Sequence, residues 1–307
     1  MCIVPRLVER VWGRTDVGLW YNAAHQTGAA PLGEAWLTDV GCGIEGGDTF
    51  GDLIDKDRAW ALGNKATAPI LVKLLFTAAA LSVQVHPTDA AARAGGIAAS
   101  GKNEAWHILE AAPDAAVWVG FTAPVTQARL RAALVDGSIL GLLRRHPVRV
   151  GDTVPVPAGT VHAIGPGLVL LEVQDPVDIT YRLYDYGRPR PLQVEEALAV
   201  ADLGAAEGLE AGPIDSVPEA QLLARAPRFA LERRSIGDGL VVRPDGARYH
   251  FLVPLTVGVL LDGRALRRGT AAFVPARGRT ARIGGDGGAS LAVVHPGPGF
   301  SPCISAA

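Results

Sequence analysis

Short apolar runs punctuated by glycine and proline make up most of this chain, a pattern that predicts many strands and turns. Residues 69–86 read as two core strands joined by a tight turn, and the second carries the clearest alternation. In LSVQVHPTD (81–89) Leu81, Val83 and Val85 point to one face, and Ser82, Gln84 and His86 to the other. Pro87 has no N–H with which to continue a central ladder, so the strand should end near His86 and hold that imidazole at its rim. LGEAWLTDV (32–40) reads as a strand, and the rest of the first 60 residues as short strands and loops. TDAAARAG (88–95) reads as a short helix, capped by Thr88 or Asp89 and ended by Gly95. The clearest helical spacing covers 123–146, with Thr126 as its cap. GKNEAWHILEA and AAVWVGFT are extended, 148–174 is strand, turn, strand, turn, strand, and 178–186 is extended again before a helix in QVEEALAVADL. The polar, proline-bearing stretch beyond about 205 reads as a connection, and the glycine-rich tail as a smaller all-β unit.

At 307 residues the chain can bury a large core in one domain with a smaller partner, or in two domains. Its 29 basic and 31 acidic side chains nearly balance and form no basic block, which argues against nucleic acid and against an anionic membrane surface. APILVKLLFTAAALSVQV is the most apolar stretch, but Lys73, Ser82 and Gln84 interrupt it, leaving no uncharged run of the roughly 18 residues that a membrane span needs. Cys2, Cys42 and Cys303 are odd in number and far apart, which suits a reducing cytoplasm better than a disulfide framework. The first residues show no signal-peptide core.

Candidate chemistry gathers on the polar faces. Lys102 and Glu104 in GKNEAWHIL are two apart and share a face if that run is a strand. His162 stands just beyond a Pro-Ala-Gly-Thr turn, a rigid corner that fixes the direction of a side chain. One amide oxygen (Gln84), two imidazoles (His86, His162) and one carboxylate (Glu104) could together hold a divalent transition metal. A single strand histidine is ordinarily a hydrogen-bonded structural residue, so the set carries more weight than any member. In LEVQDPVDITYRLYDYGR, Glu172 and Gln174 share one face, as do Asp178, Thr180 and Arg182 after the Asp-Pro interruption. That file could be a structural ion-pair ladder, but inside a barrel such charges need a ligand or metal to compensate them.

ERVWG, LGEAWL, PILVKLL, LSVQVHPTD, GKNEAWHIL, GDTVPVPAGTVHAIGPGLVLLEVQ and TYRLYDYGR, in this order over residues 9 to about 188, give the chain its resemblance to type I mannose-6-phosphate isomerases, in their shorter bacterial branch. The resemblance implies a mainly β, cupin-type jelly-roll barrel with a few short helices. The catalytic domain would cover 1–205, with a helical segment near 88–146, a connection over 206–239 and a smaller β domain over 240–307. It implies one Zn²⁺ per chain on Gln84, His86, Glu104 and His162, with Lys102, Glu172, Asp178 and Arg182 around the sugar and Ser82 and Arg188 at the substrate phosphate. The implied reaction interconverts mannose 6-phosphate and fructose 6-phosphate by proton transfer through an enediol, in a monomer or homodimer.

Three places depart from the family pattern and bear on the sugar: Asp175, Pro176 and Val177 replace a polar run, His107 stands where tyrosine is common, and RPRPLQ (188–193) replaces a stretch with leucine and histidine. The alternatives are an isomerase for another sugar phosphate, a cupin that binds a sugar phosphate without turning it over, and an iron-dependent oxygenase. Against the last, Gln84 as a fourth protein ligand would occupy a position that oxygen chemistry leaves open.

Overall fold

Val83 and Val85 are fully buried, and so is His86 on the opposite face of the same strand. Both faces are therefore covered, and different neighbours cover them. In the computed structural model, which describes residues 1–21, 30–64, 68–207 and 212–307, Val83 and Val85 pack with Phe121, Ala163 and Leu183 against Leu130, Ala133, Ala197 and Leu198. The last four belong to helices Gln127–Val135 and Val194–Val200. The apolar face of the strand meets helices, which turns its polar face inward.

What it faces is a second sheet. Strand Val83–Val85 lies in an antiparallel five-stranded sheet, ordered Tyr181–Tyr184, Val83–Val85, His162–Ile164, Ala116–Phe121, Leu143–Pro147. Glu104–Ala111 runs antiparallel between Thr153–Val156 and Leu168–Gln174 in the other. Trp106, Ile108, Leu168 and Leu170 from this sheet share one core with Val117, Val119 and Ile164 from the first. The space between the sheets is thus apolar over much of its length and polar where Gln84, His86, Glu104 and His162 project. This is a mainly β, cupin-type jelly-roll arrangement, as the resemblance implies.

The contacts group residues 11–14 and 75–211 into this unit, and 1–10, 15–74 and 212–307 into another, a division that differs from the expected 1–205, 206–239 and 240–307. The second unit has an eight-stranded sheet in which Cys2–Val4 lies between Ala271–Val274 and Gly43–Ile44. No local pattern encodes a pairing across some 270 residues. Three further strands of that sheet, Asp215–Val217, Ala220–Arg225 and Ala230–Ser235, lie within the segment expected to be a connection. The charged residues of LERRS disguise the last of them, whose Glu232 is wholly buried. Two more expectations are corrected. Helices Phe50–Lys56 and Arg58–Leu62 stand where only strands and loops were expected, the first started by a capping box in which Thr49 and Asp52 satisfy each other's backbone N–H. The helical stretch 123–146 keeps its helix, with Thr126 as cap, only to Val135, followed by one 3₁₀ turn and then strand Leu143–Pro147.

Buried Glu232 is satisfied by Arg234, by the ring of His295 at 2.7 Å and by the N–H of Ser301, while Ser301 Oγ lies 2.7 Å from Nε2 of buried His250. Burial first, then the charge of His295, pulls the His250 imidazole from 6.5 to about 3; Asp245 opposes this, and Arg248 and Arg234 add to it. Between those values the unfolded chain binds a proton that the folded chain refuses, so stability from this group is complete above about pH 6.5 and lost as pH falls. Between pH 6.5 and 5 the loss is expected to be about 2 kcal/mol, at roughly 1.4 kcal/mol per pH unit. Urea-unfolding midpoints of the parent and His250→Gln at both pH values check this, because the variant should have a clearly shallower pH dependence.

Candidate functional site

Strand register brings the predicted residues together. His162 lies opposite Gln84, Arg182 lies opposite Gln84 on its other side, and Gln174 lies opposite Glu104. Directly opposed residues of an antiparallel pair project to the same face, so Arg182 and His162 flank Gln84. Backbone contacts tie the loops that carry the remaining groups. Gly159 N–H, in the turn before His162, donates to the His86 carbonyl at 2.8 Å, and Lys102 N–H donates to the Pro87 carbonyl at 3.1 Å. Gly101 is what lets the chain come this close, because a Cβ there would lie 2.3 Å from the Pro87 carbonyl oxygen, which is backbone and has no rotamer to escape into. Lys102 precedes the strand, which begins at Glu104, yet its Nζ still lies 3.1 Å from Glu104 Oε2.

His86, Glu104 and His162 are buried, with ligand atoms all within 4.8 Å of one another. The ring hydrogen bonds settle the tautomers. His86 Nδ1 lies 2.7 Å from the Ile179 carbonyl and His162 Nδ1 lies 2.8 Å from that of Thr160; a carbonyl only accepts, so each Nδ1 carries the proton. Burial holds both rings below the usual imidazole range, His162 at about 4, so they are neutral; His86 Nε2 presents a bare lone pair, and that of His162 meets the Gln84 amide at 3.2 Å. The His86 lone pair meets Glu104 Oε2 at 3.1 Å, acceptor against acceptor. His86 Nε2 and Glu104 Oε1 have no hydrogen-bond partner, although both are buried, and Glu104 Oε2 has the Lys102 ammonium at 3.1 Å. A cation relieves that conflict, and two neutral imidazoles with one carboxylate are a donor set suited to zinc or another divalent transition metal. Burial works against ionising Glu104, but the Lys102 ammonium outweighs it and holds the carboxyl well below its usual range, in the form a metal needs.

Gln84 stands beside this group with its amide nitrogen 3.2 Å from His162 Nε2 and its oxygen accepting from Ser82 Oγ at 3.2 Å. A half-turn of the amide exchanges the two atoms and brings the oxygen to the metal side, and the Ser82 hydroxyl can serve either orientation because it both donates and accepts. Burial lowers the Lys102 ammonium, but Glu104, then Glu172 and Asp178, outweigh it and raise it overall, which places all four in one electrostatic neighbourhood. Arg188 lies apart from that group, held by the Ala80 carbonyl and beside Asp185.

Two residues of this region escaped the sequence reading. Asn103 donates its N–H and its side-chain amide to Asp175 at 3.0 and 2.8 Å, and accepts from Ala158 N–H at 3.1 Å. It thereby braces the start of the Glu104 strand, the end of the Gln174 strand and the turn before His162. Asp175, noted only as a departure, is fully buried in that brace. The available signal was an Asn between Lys102 and Glu104, too common a residue type to single out. His107, another departure, alternates away from Glu104 and bonds Thr153 Oγ1 at 2.9 Å.

No family model matches the chain. The mannose-6-phosphate isomerase of Streptococcus mutans is 30% identical over 312 residues, 91% of this chain and 93% of the relative. The chain belongs to the mannose-6-phosphate isomerase family. A solved mannose 6-phosphate isomerase from Bacillus subtilis superposes with a TM-score of 0.81 at 26% identity, over 95% of this chain and 98% of that one. Another solved mannose 6-phosphate isomerase, bound with zinc and yttrium, superposes at 0.75 over 96% of this chain and 98% of its own; at 18% identity it speaks for the fold alone. The family consists of aldose–ketose isomerases, an activity class that a cluster of metal donors with a buried lysine suits. Among the described residues no helix is long and apolar enough to cross a membrane.

Proposed function

We propose that the chain interconverts mannose 6-phosphate and fructose 6-phosphate with one zinc ion, held by His86, Glu104, His162 and the turned amide of Gln84. The observation that carries the reading is the pair of Nδ1-protonated imidazoles whose Nε2 atoms converge on a buried, ionised Glu104. Membership of the family and the zinc in a solved relative support it.

Aldose–ketose exchange moves a proton between adjacent carbons through an enediol while negative charge grows on the carbonyl oxygen. When bound, the metal supplies Lewis-acid polarisation of the sugar oxygens. Arg182, beside Gln84, meets the same developing charge from the flank of the site. Glu172 and Asp178 are the groups able to accept and return the proton, while Lys102, held as the ammonium beside Glu104, can donate one to a sugar oxygen. Arg188, with a guanidinium suited to forked contact with phosphate oxygens, would hold the far end of the substrate. The three cysteines are free, in keeping with a reducing cytoplasm.

Purified protein incubated with mannose 6-phosphate should yield fructose 6-phosphate, lose that activity on exhaustive chelation and regain it with zinc. Binding of mannose 6-phosphate with no product in either direction would leave a sugar-phosphate-binding cupin instead.

A further inference from the structure

Strand Tyr181–Tyr184, which carries Arg182, is the last in its five-stranded sheet and has a paired neighbour on one side only, Val83–Val85. Its outer edge needs another cover, since unpaired backbone groups leave a short edge strand free to slip. The ladder is irregular here as well. Register shifts between Arg182 and Tyr184, so Arg182–Gln84 is the last pair before a bulge. A bulge re-aims the side chains beside it unless something fixes the backbone.

Gln193 supplies that fixture. Arg182 N–H donates to Gln193 Oε1 at 3.1 Å, and the Arg182 carbonyl accepts from Gln193 N–H at 2.9 Å. One residue thus answers both backbone groups of Arg182, as the facing residue of a hydrogen-bonded β-pair would. Those groups are therefore turned away from Gln84, which makes Arg182–Gln84 a non-hydrogen-bonded pair, the kind in which facing side chains come closest.

This contact leaves the next helix without its usual start. Gln193 is the N-cap of helix Val194–Val200, and its side chain makes no cap hydrogen bond. Serine, threonine, aspartate and asparagine suit that position because a short side chain turns back to the N–H groups of the first turn. Here a longer side chain reaches to the strand instead. The same helix packs Ala197 and Leu198 against Val83 and Val85, so the element that covers one face of the site strand also brings the residue that pins Arg182. Gln193 closes RPRPLQ, a stretch that departs from the family pattern, which makes the arrangement a feature of this chain.

We propose that Gln193 is a positioning residue, fixing the backbone of Arg182 so that its guanidinium stands where charge grows on the sugar oxygen. The inference rests on the isomerase reading above for the role of Arg182, and on the two hydrogen bonds for its placement.

Gln193→Ser separates positioning from structure, because serine caps the helix but is too short to reach Arg182. The zinc-loaded variant is expected to melt at the parental temperature or about 2 °C above it, yet to turn over mannose 6-phosphate about tenfold more slowly at saturation, with KM within about twofold. Gln193→Glu keeps an acceptor at the same reach and should recover kcat to within about threefold. Hydrogen exchange reads the contact without turnover. The Arg182 amide should lose about tenfold of its protection in Gln193→Ser and keep it in Gln193→Glu, while Val83–Val85 stays protected in both. Parental kcat in Gln193→Ser would overturn the proposal, as would parental exchange at Arg182, or a lower melting temperature in step with the lost rate. If the parent does not isomerise mannose 6-phosphate, the isomerase reading fails; loss of Arg182 protection in Gln193→Ser would still show that Gln193 sets this strand.

Discussion

His162→Ala is expected to empty the metal centre, taking zinc from about one per chain to near zero and turnover of mannose 6-phosphate down by about 10³-fold, since Lewis-acid stabilisation contributes several kcal/mol. The expectation follows from the local bonding rather than from the residue type. The Thr160 carbonyl holds the Nδ1 proton of His162, so Nε2 keeps its lone pair, which meets the Gln84 amide here and is free for a cation once that amide turns. Without that ring Gln84 Nε2 loses its acceptor as well, and a remaining cation would have only His86 and Glu104 from the buried cluster. Elemental analysis of the purified variant beside a steady-state assay measures both effects. Full zinc occupancy with parental turnover would remove His162 from the centre, and a normal melting temperature would show that lost activity is not lost fold.

Arg182→Ala should leave zinc in place and lower kcat by roughly 10²-fold or more, the scale for losing one donor to transition-state charge. Arg182 is set by the ladder rather than by a loop: it pairs with Gln84, its N–H donates to Gln193 Oε1 at 3.1 Å, and its carbonyl accepts from Gln193 N–H at 2.9 Å. Zinc content separates this outcome from the first. An unchanged kcat at saturating substrate would show that growing charge on the sugar oxygen is met elsewhere.

The candidate site was legible because it lies on strands. A period of two translates directly into faces, so Ser82, Gln84 and His86 could be grouped before any tertiary contact was known, and the Pro-Ala-Gly-Thr turn fixed His162 in the same way. Periodicity alone leaves open whether the polar face meets water or the interior. Here the deciding facts are nonlocal: Leu130, Ala133, Ala197 and Leu198 cover the valines, which turns the histidine face inward. The Asn103–Asp175 brace was invisible for a related reason, since its meaning depends on three segments meeting. The expected division of the chain failed to anticipate strands 215–235 because their alternation carries arginine and glutamate, one of which is buried and paired instead of exposed. Helix Phe50–Lys56 was the one avoidable miss, as Thr49 followed by Asp52 is itself a helix-start signature.

The threading of Cys2–Val4 beside Ala271–Val274 has a consequence for biosynthesis. At roughly 5–20 residues per second, the ribosome needs some tens of seconds after making the first strand before its partner emerges. Throughout that interval the leading segment is an open β-edge able to pair with a neighbouring nascent chain. A tag fused ahead of Met1 would extend from the point where the backbone of residue 1 exchanges hydrogen bonds with Phe273, and so would load that long-range seam.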